Sequence, residues 1–130
     1  MWKLQPTEEF AARHKRWGKN HPAELKAVLG NLDTYFEALI LGTKPLQIKC
    51  GFIHPERQGV VAINQRGGGR NLAQTRLYAY PDIRTETLHL LTLGDKTTQK
   101  ADIALSHQYA VGFRKAAEQA AENYEDPEEV

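Results

Sequence analysis

The stretch QTRLYAYPDIRTETLHLLTLGDKTTQ, residues 74–99, decides how this chain folds. Residues 74–80 (QTRLYAY) and 87–93 (TLHLLTL) are rich in aromatic, leucine and threonine side chains, as strands are, and Pro81, Asp82, Ile83 and Arg84 between them supply a turn. So short a connection predicts antiparallel neighbours, because a parallel crossover takes a dozen residues or more. Alternation along 74–80 sends Arg76, Tyr78 and Tyr80 to one face and Thr75, Leu77 and Ala79 to the other. After Gly94 the period becomes helical, with Ile103, Leu105, His107, Tyr109, Ala110, Phe113 and Ala117 as contacts, and a helix is predicted from about Thr98 to Ala121.

Upstream, residues 59–65 (GVVAINQ) and 44–52 read as two more strands, with a glycine-rich turn from Arg66 through Gly67, Gly68 and Gly69 to Arg70 and Asn71. The result is a meander of four antiparallel strands. Before it come two helical patterns. Thr7 is a candidate N-cap with Glu8 and Glu9 in the first turn, and Phe10, Ala11, His14 and Trp17 fall on one face before Gly18. Asn20, His21 and Pro22 start a second helix, in which Leu25, Val28, Leu29, Leu32, Phe36, Leu39 and Ile40 recur at helical spacing up to Gly42. The expected fold is therefore α+β. A helical hairpin packs on a four-stranded antiparallel sheet, with Leu25, Leu29, Leu32, Phe36 and Leu39 covering Val61, Ile63, Leu77 and Leu90, and a helix follows at the C-terminal end. Residues 1–122 are read as a single domain and 123–130 as a disordered acidic tail.

Length and composition agree with one soluble domain: 130 residues, 41% hydrophobic and 25% charged. No apolar run approaches the roughly 18 residues of a membrane span, and the first ten residues carry two acids and no apolar block, so the expected location is the cytoplasm. The lone Cys50 cannot pair within the chain and reads as a core residue. A net charge of +1 conceals an asymmetry, since all 17 Lys and Arg lie at or before Lys115 and six of the 16 acids lie after it. Residues 1–117 carry +7 and the rest −6, which suits a polyanionic partner.

The glycine-rich turn lacks the lysine and the following helix of a phosphate-binding loop, and reads as a hairpin tip. His14, His21, His54, His89 and His107 show no metal-ligand spacing, so no metal and no cofactor is expected. His54, placed in a loop before Pro55, is as suited to a site as to plain surface. The informative set is basic: Arg66 closes the second strand, Arg76 lies within the third, and Lys96 follows the fourth. A strand face bearing Arg76, Tyr78 and Tyr80 offers charge and stacking surface together, as single-stranded RNA contact requires, while an arginine paired with an acid on a wet face reads equally from the pattern.

Two helices, a meander carrying QTRLYAY, and TLHLLTLGDKTTQKADI leading into a helix resemble the RelE/ParE superfamily of small bacterial toxins from toxin and antitoxin pairs. The resemblance spans about residues 10–115, and its most specific piece is the Arg76 strand followed by Gly94, Asp95, Lys96, Thr97, Thr98 and Gln99. It implies an α/β sandwich and, for many members, a ribosome-dependent endoribonuclease that cuts mRNA without metal. Others inhibit DNA gyrase, and a non-catalytic RNA-binding or regulatory domain is a third reading. By this resemblance Arg76 faces the scissile phosphate, with Lys96 and Arg66 as further cations. Lysines that the family carries along the second strand are replaced by Ala62 and Asn64, and a tyrosine after the last turn by Asp102, which leaves His54, Glu56 and Asp102 as substitutes for base and acid. Tyr78, Tyr80, Arg70 and Gln99 are the candidate RNA contacts. The implied partners are an antitoxin protein, the ribosome and mRNA, with a homodimer left open.

Overall fold

The computed structural model describes residues 1–65 and 74–122. The expected glycine-rich turn with Arg66 and Arg70, and the acidic tail, lie outside them. Among the described residues the elements run β1 (Lys3–Pro6), α1 (Glu8–Asn20), α2 (Pro22–Ile40), β2 (Ile53–Pro55), β3 (Val61–Asn64), β4 (Arg76–Asp82), β5 (Thr87–Gly94) and α3 (Gln99–Glu122). The fold is α+β, with three α-helices and one five-stranded sheet among the described residues, the strands in the order β1-β5-β4-β3-β2. Pairing is antiparallel from β2 to β5 and parallel between β1 and β5, so the sheet is mixed, not the four-stranded antiparallel one expected. None of the described helices is long and apolar enough to cross a membrane.

The helical hairpin forms as its pattern dictates. Thr7 Oγ1 accepts from the Phe10 N–H at 3.0 Å and so caps α1. The same hydroxyl donates to Leu91 O at 2.7 Å, which ties the cap to the sheet. Gly18 does not end α1; the helix runs to Asn20 and stops at His21, whose N–H bonds Trp17 O before Pro22 opens α2. Val28, Leu32, Tyr35 and Leu39 of α2 bury with Phe10 and Trp17 against Ile63, Leu77, Ala79, Leu88 and Leu93, and Leu29 and Phe36 pack at the margin.

Two strand expectations are displaced. Residues 44–52 hold a short 3-10 turn at Pro45–Gln47, where proline removes a ladder donor, and the strand falls on Ile53–Pro55. β4 continues through Pro81 and Asp82, so the turn before β5 is residues 83–86. Cys50 is half-buried beside the hairpin core.

The opposite sheet face is covered as well. α3 lies across β5 and β4 and reaches the 3-10 turn Arg57–Gly59, enclosing Val60, Ala62, Tyr78, Leu91 and Ala110 with Ile103, Tyr109 and Phe113 around them. A bulge makes this second layer fit. Tyr78 opposes Thr92 and Ala79 opposes Leu90, which leaves Leu91 as the extra residue, in the α3 layer.

Candidate functional site

The β5–α3 turn is fixed before any site residue is considered. Asp95 Oδ1 accepts from the Thr97 N–H at 2.9 Å and the Thr97 hydroxyl at 2.6 Å, and the Asp95 N–H donates to Thr98 Oγ1 at 3.1 Å. These bonds, the Thr97 hydroxyl foremost, hold the Asp95 carboxyl below its ordinary acidity range. Thr98 Oγ1 donates in turn to Asp102 Oδ2 at 2.6 Å, and Arg13 Nη1 reaches Asp102 Oδ1 at 3.4 Å and Leu93 O at 3.0 Å. Gly94 lies directly beneath. A Cβ there would collide with Asp102 Oδ2 and Thr98 Oγ1, so glycine is required for close approach. The conspicuous run from Gly94 to Thr98 is thus the scaffold of a turn that leaves Lys96 exposed and Gln99 at the start of α3.

Asp102 itself is 1% exposed. Burial pushes its pKa up, against the opposing pull of Thr98 and Arg13. A carboxylate enclosed by these two partners has no access to a substrate hydroxyl, so the expectation that it substitutes as base or acid is corrected: its role is to join α1, the turn and α3.

Arg76 opens β4 and pairs in register with Asn64 on one side and Gly94 on the other. That places Arg76, half-buried, at the end of the sheet beside the Lys96 turn. Alternation does put Arg76, Tyr78 and Tyr80 on one face, but that face is roofed by α3. Tyr78 is 1% exposed and cannot stack on RNA. Tyr80 is half-buried at the far end, stacked on Phe113 at 5.8 Å beside His89, and does not share a surface with Arg76. The sequence misled here because an arginine and two tyrosines suggest a wet face, whereas Tyr109, Ala110 and Phe113 of α3 needed a surface to cover.

His54 is exposed on the edge strand β2, not in a loop, and lies in the cross-strand row His54, Ala62, Tyr78, Thr92. Residues in such a row share a face, so His54 stands on the α3 side, two strands or about 10 Å from the Tyr78 backbone. Glu56 is half-buried at the start of the 3-10 turn, its N–H donating to Val60 O. The charges of Arg76, Asp102 and Glu56 all act on the Tyr78 hydroxyl. Burial pushes that hydroxyl up to about 12, so it stays neutral.

Two polar groups escaped the sequence reading. Asn64 Oδ1 and His107 Nε2 are both buried without a hydrogen-bond partner among the described residues, the first beside Arg76 in register and the second on the α3 flank with Gln58 nearby. Nothing in a lone asparagine at a strand end or a histidine in mid-helix distinguishes them from packing residues. Among the described residues no three His, Cys, Asp or Glu side chains gather as metal ligands. The arrangement supplies a half-buried cation at a sheet end, a second, exposed cation on a hydrogen-bonded turn, and an imidazole and a carboxyl on the same side of the sheet.

No family model, curated protein or solved structure matches this chain.

Proposed function

We propose that this chain is the toxin of a toxin and antitoxin pair, acting in the cytoplasm as a ribosome-dependent, metal-independent mRNA endoribonuclease of RelE/ParE type. The observation that carries the reading is Arg76: half-buried, held at the open end of β4 in register with Gly94, next to a turn that presents Lys96. The succession of a strand, a helical hairpin, antiparallel strands and a closing helix supports the family resemblance.

The reaction is attack of a ribose 2′-hydroxyl on its adjacent phosphate, with departure of the 5′-oxygen. Arg76 accompanies the charge that builds on the phosphorane, its fixed donors matching phosphate oxygens in pairs. Lys96 adds a mobile charge. His54 and Glu56, on the α3 side of β2 and just beyond it, are the candidates to take the 2′-hydroxyl proton and return one to the leaving oxygen. Docking on the ribosome supplies the alignment of the RNA. An antitoxin with an acidic segment is the partner that the +7 charge of residues 1–117 calls for.

Purified protein added to translating ribosomes, with mRNA 5′ ends mapped, tests the reading; discrete cuts in ribosome-bound but not free mRNA are expected. A gyrase inhibitor is the second reading. It is favoured by β3, where Ala62 is buried and Asn64 uncharged at positions the nucleases fill with lysine. Inhibition of supercoiling without mRNA cutting would select it.

A further inference from the structure

We infer that a water molecule is bound between α3 and the centre of the sheet, where it bridges the hydroxyls of Tyr78, Thr92 and Ser106. This stands on the fold and does not depend on the nuclease reading. Two contacts fix how α3 lies on β5. Asp102 Oδ2 sits against the place a Cβ on Gly94 would take, and the Phe113 ring stacks on His89 at 3.9 Å. α3 therefore runs antiparallel to β5, with Asp102 over Gly94 at one end and Phe113 over His89 at the other. Four residues of helix advance about 6 Å and two residues of strand about 6.6 Å, so the next step inward from that first contact sets Ser106 over Thr92. Thr92 stands opposite Tyr78 in the ladder, on the α3 side, with Cβ atoms about 5 Å apart.

All three side chains are buried, and their three hydroxyl oxygens have no hydrogen-bond partner among the described residues. A buried hydroxyl left open is costly, and phenylalanine, valine and alanine would occupy these places without that cost. The hydroxyls come from β4, β5 and α3, so their meeting on one seam is a property of the tertiary fold and not of any one segment. Ser106 and Thr92 are both short, and where they face each other neither spans the layer between helix and sheet. A polar guest of small size is what this set fits. Each hydroxyl both donates and accepts, and a buried water makes about three hydrogen bonds to such groups.

Oxygen-17 relaxation dispersion of the solvent tests this on the full chain. It registers water held for longer than the protein takes to tumble and is blind to exchanging hydroxyl protons. The double variant Thr92→Val, Ser106→Ala should show a smaller dispersion than the parent, by the contribution of a single held water. Tyr78→Phe keeps the shape of the seam and removes one bond, so it should also lose dispersion through faster exchange, and it serves if the double variant does not fold. In the parent, cross-peaks from water to the Thr92 methyl and the Ser106 β protons should locate the site. A parental dispersion in either folded variant, or no such cross-peaks in the parent, overturns the inference; the three hydroxyls would then be satisfied by one another.

Discussion

Arg13 and Asp102 form an ion pair of 3.4 Å between α1 and α3, with the carboxylate 1% exposed and the arginine 17%. The pair bridges the two helical layers across the end of the sheet. Removing one partner of a buried pair typically costs about 3–5 kcal/mol, and because Arg13 keeps Glu9 at 3.1 Å the loss here lies at the lower end, about 3 kcal/mol. Asp102→Ala should therefore lower stability by that order in urea denaturation, and Asp102→Asn by less, because the amide oxygen still accepts from Thr98. Gly94→Ala should be comparably damaging, since its methyl would displace both Asp102 and Thr98. Wild-type stability in Asp102→Ala would show the pair to be incidental.

Asn31 closes the base of the β3–β4 connection from the hairpin side. Its Nδ2 donates to Asn64 O at 2.8 Å and Gln65 O at 2.9 Å, and Gln65 itself exchanges bonds with Thr75. Asn31→Ala leaves two acceptors without that donor, and a loss of about 1–3 kcal/mol is expected by chemical denaturation. Hydrogen exchange should quicken at the Thr75 amide before the rest of β4.

His89 gives the fold a pH dependence of known sign. Its ring stacks on Phe113 at 3.9 Å, and burial lowers its pKa below the ordinary 6.5, with the Asp82 charge opposing and Lys3 assisting. A folded-state pKa below the unfolded value means the unfolded chain binds the proton first on acidification. The associated stability is intact above pH 6.5 and is lost as pH falls from there toward the folded value. Melting temperature should drop between pH 7 and pH 5 less in His89→Gln than in the parent; equal drops would remove His89 as the cause.

The hairpin was legible because helical spacing of Leu25, Val28, Leu32 and Leu39 needs no knowledge of the rest of the chain. β1 was not, for a physical reason: all four of its residues are exposed and one is proline, so neither alternation nor hydrophobicity marks it. Its pairing with β5 alone makes it a strand. The burial of Tyr78 and Asp102 was hidden in the same way. A carboxylate in the first turn of a helix is ordinarily solvent-exposed and favoured there by the helix dipole, and the partners that let Asp102 bury are Thr98, four residues before it, and Arg13, eighty-nine positions earlier in sequence order. At the site, Arg76 and Lys96 were legible as cations, whereas the roof over their face was a property of α3 and the sheet together.

Arg76→Ala tested on translating ribosomes bears on the functional account more closely than any other variant. Arg76 fills no core cavity, so the variant should melt within a few degrees of the parent, as substitutions away from the core do. Its rate of cutting ribosome-bound mRNA should fall by roughly 10²- to 10³-fold, the loss of one donor to the phosphorane. A folded Arg76→Ala protein that cuts at the parental rate would contradict the account.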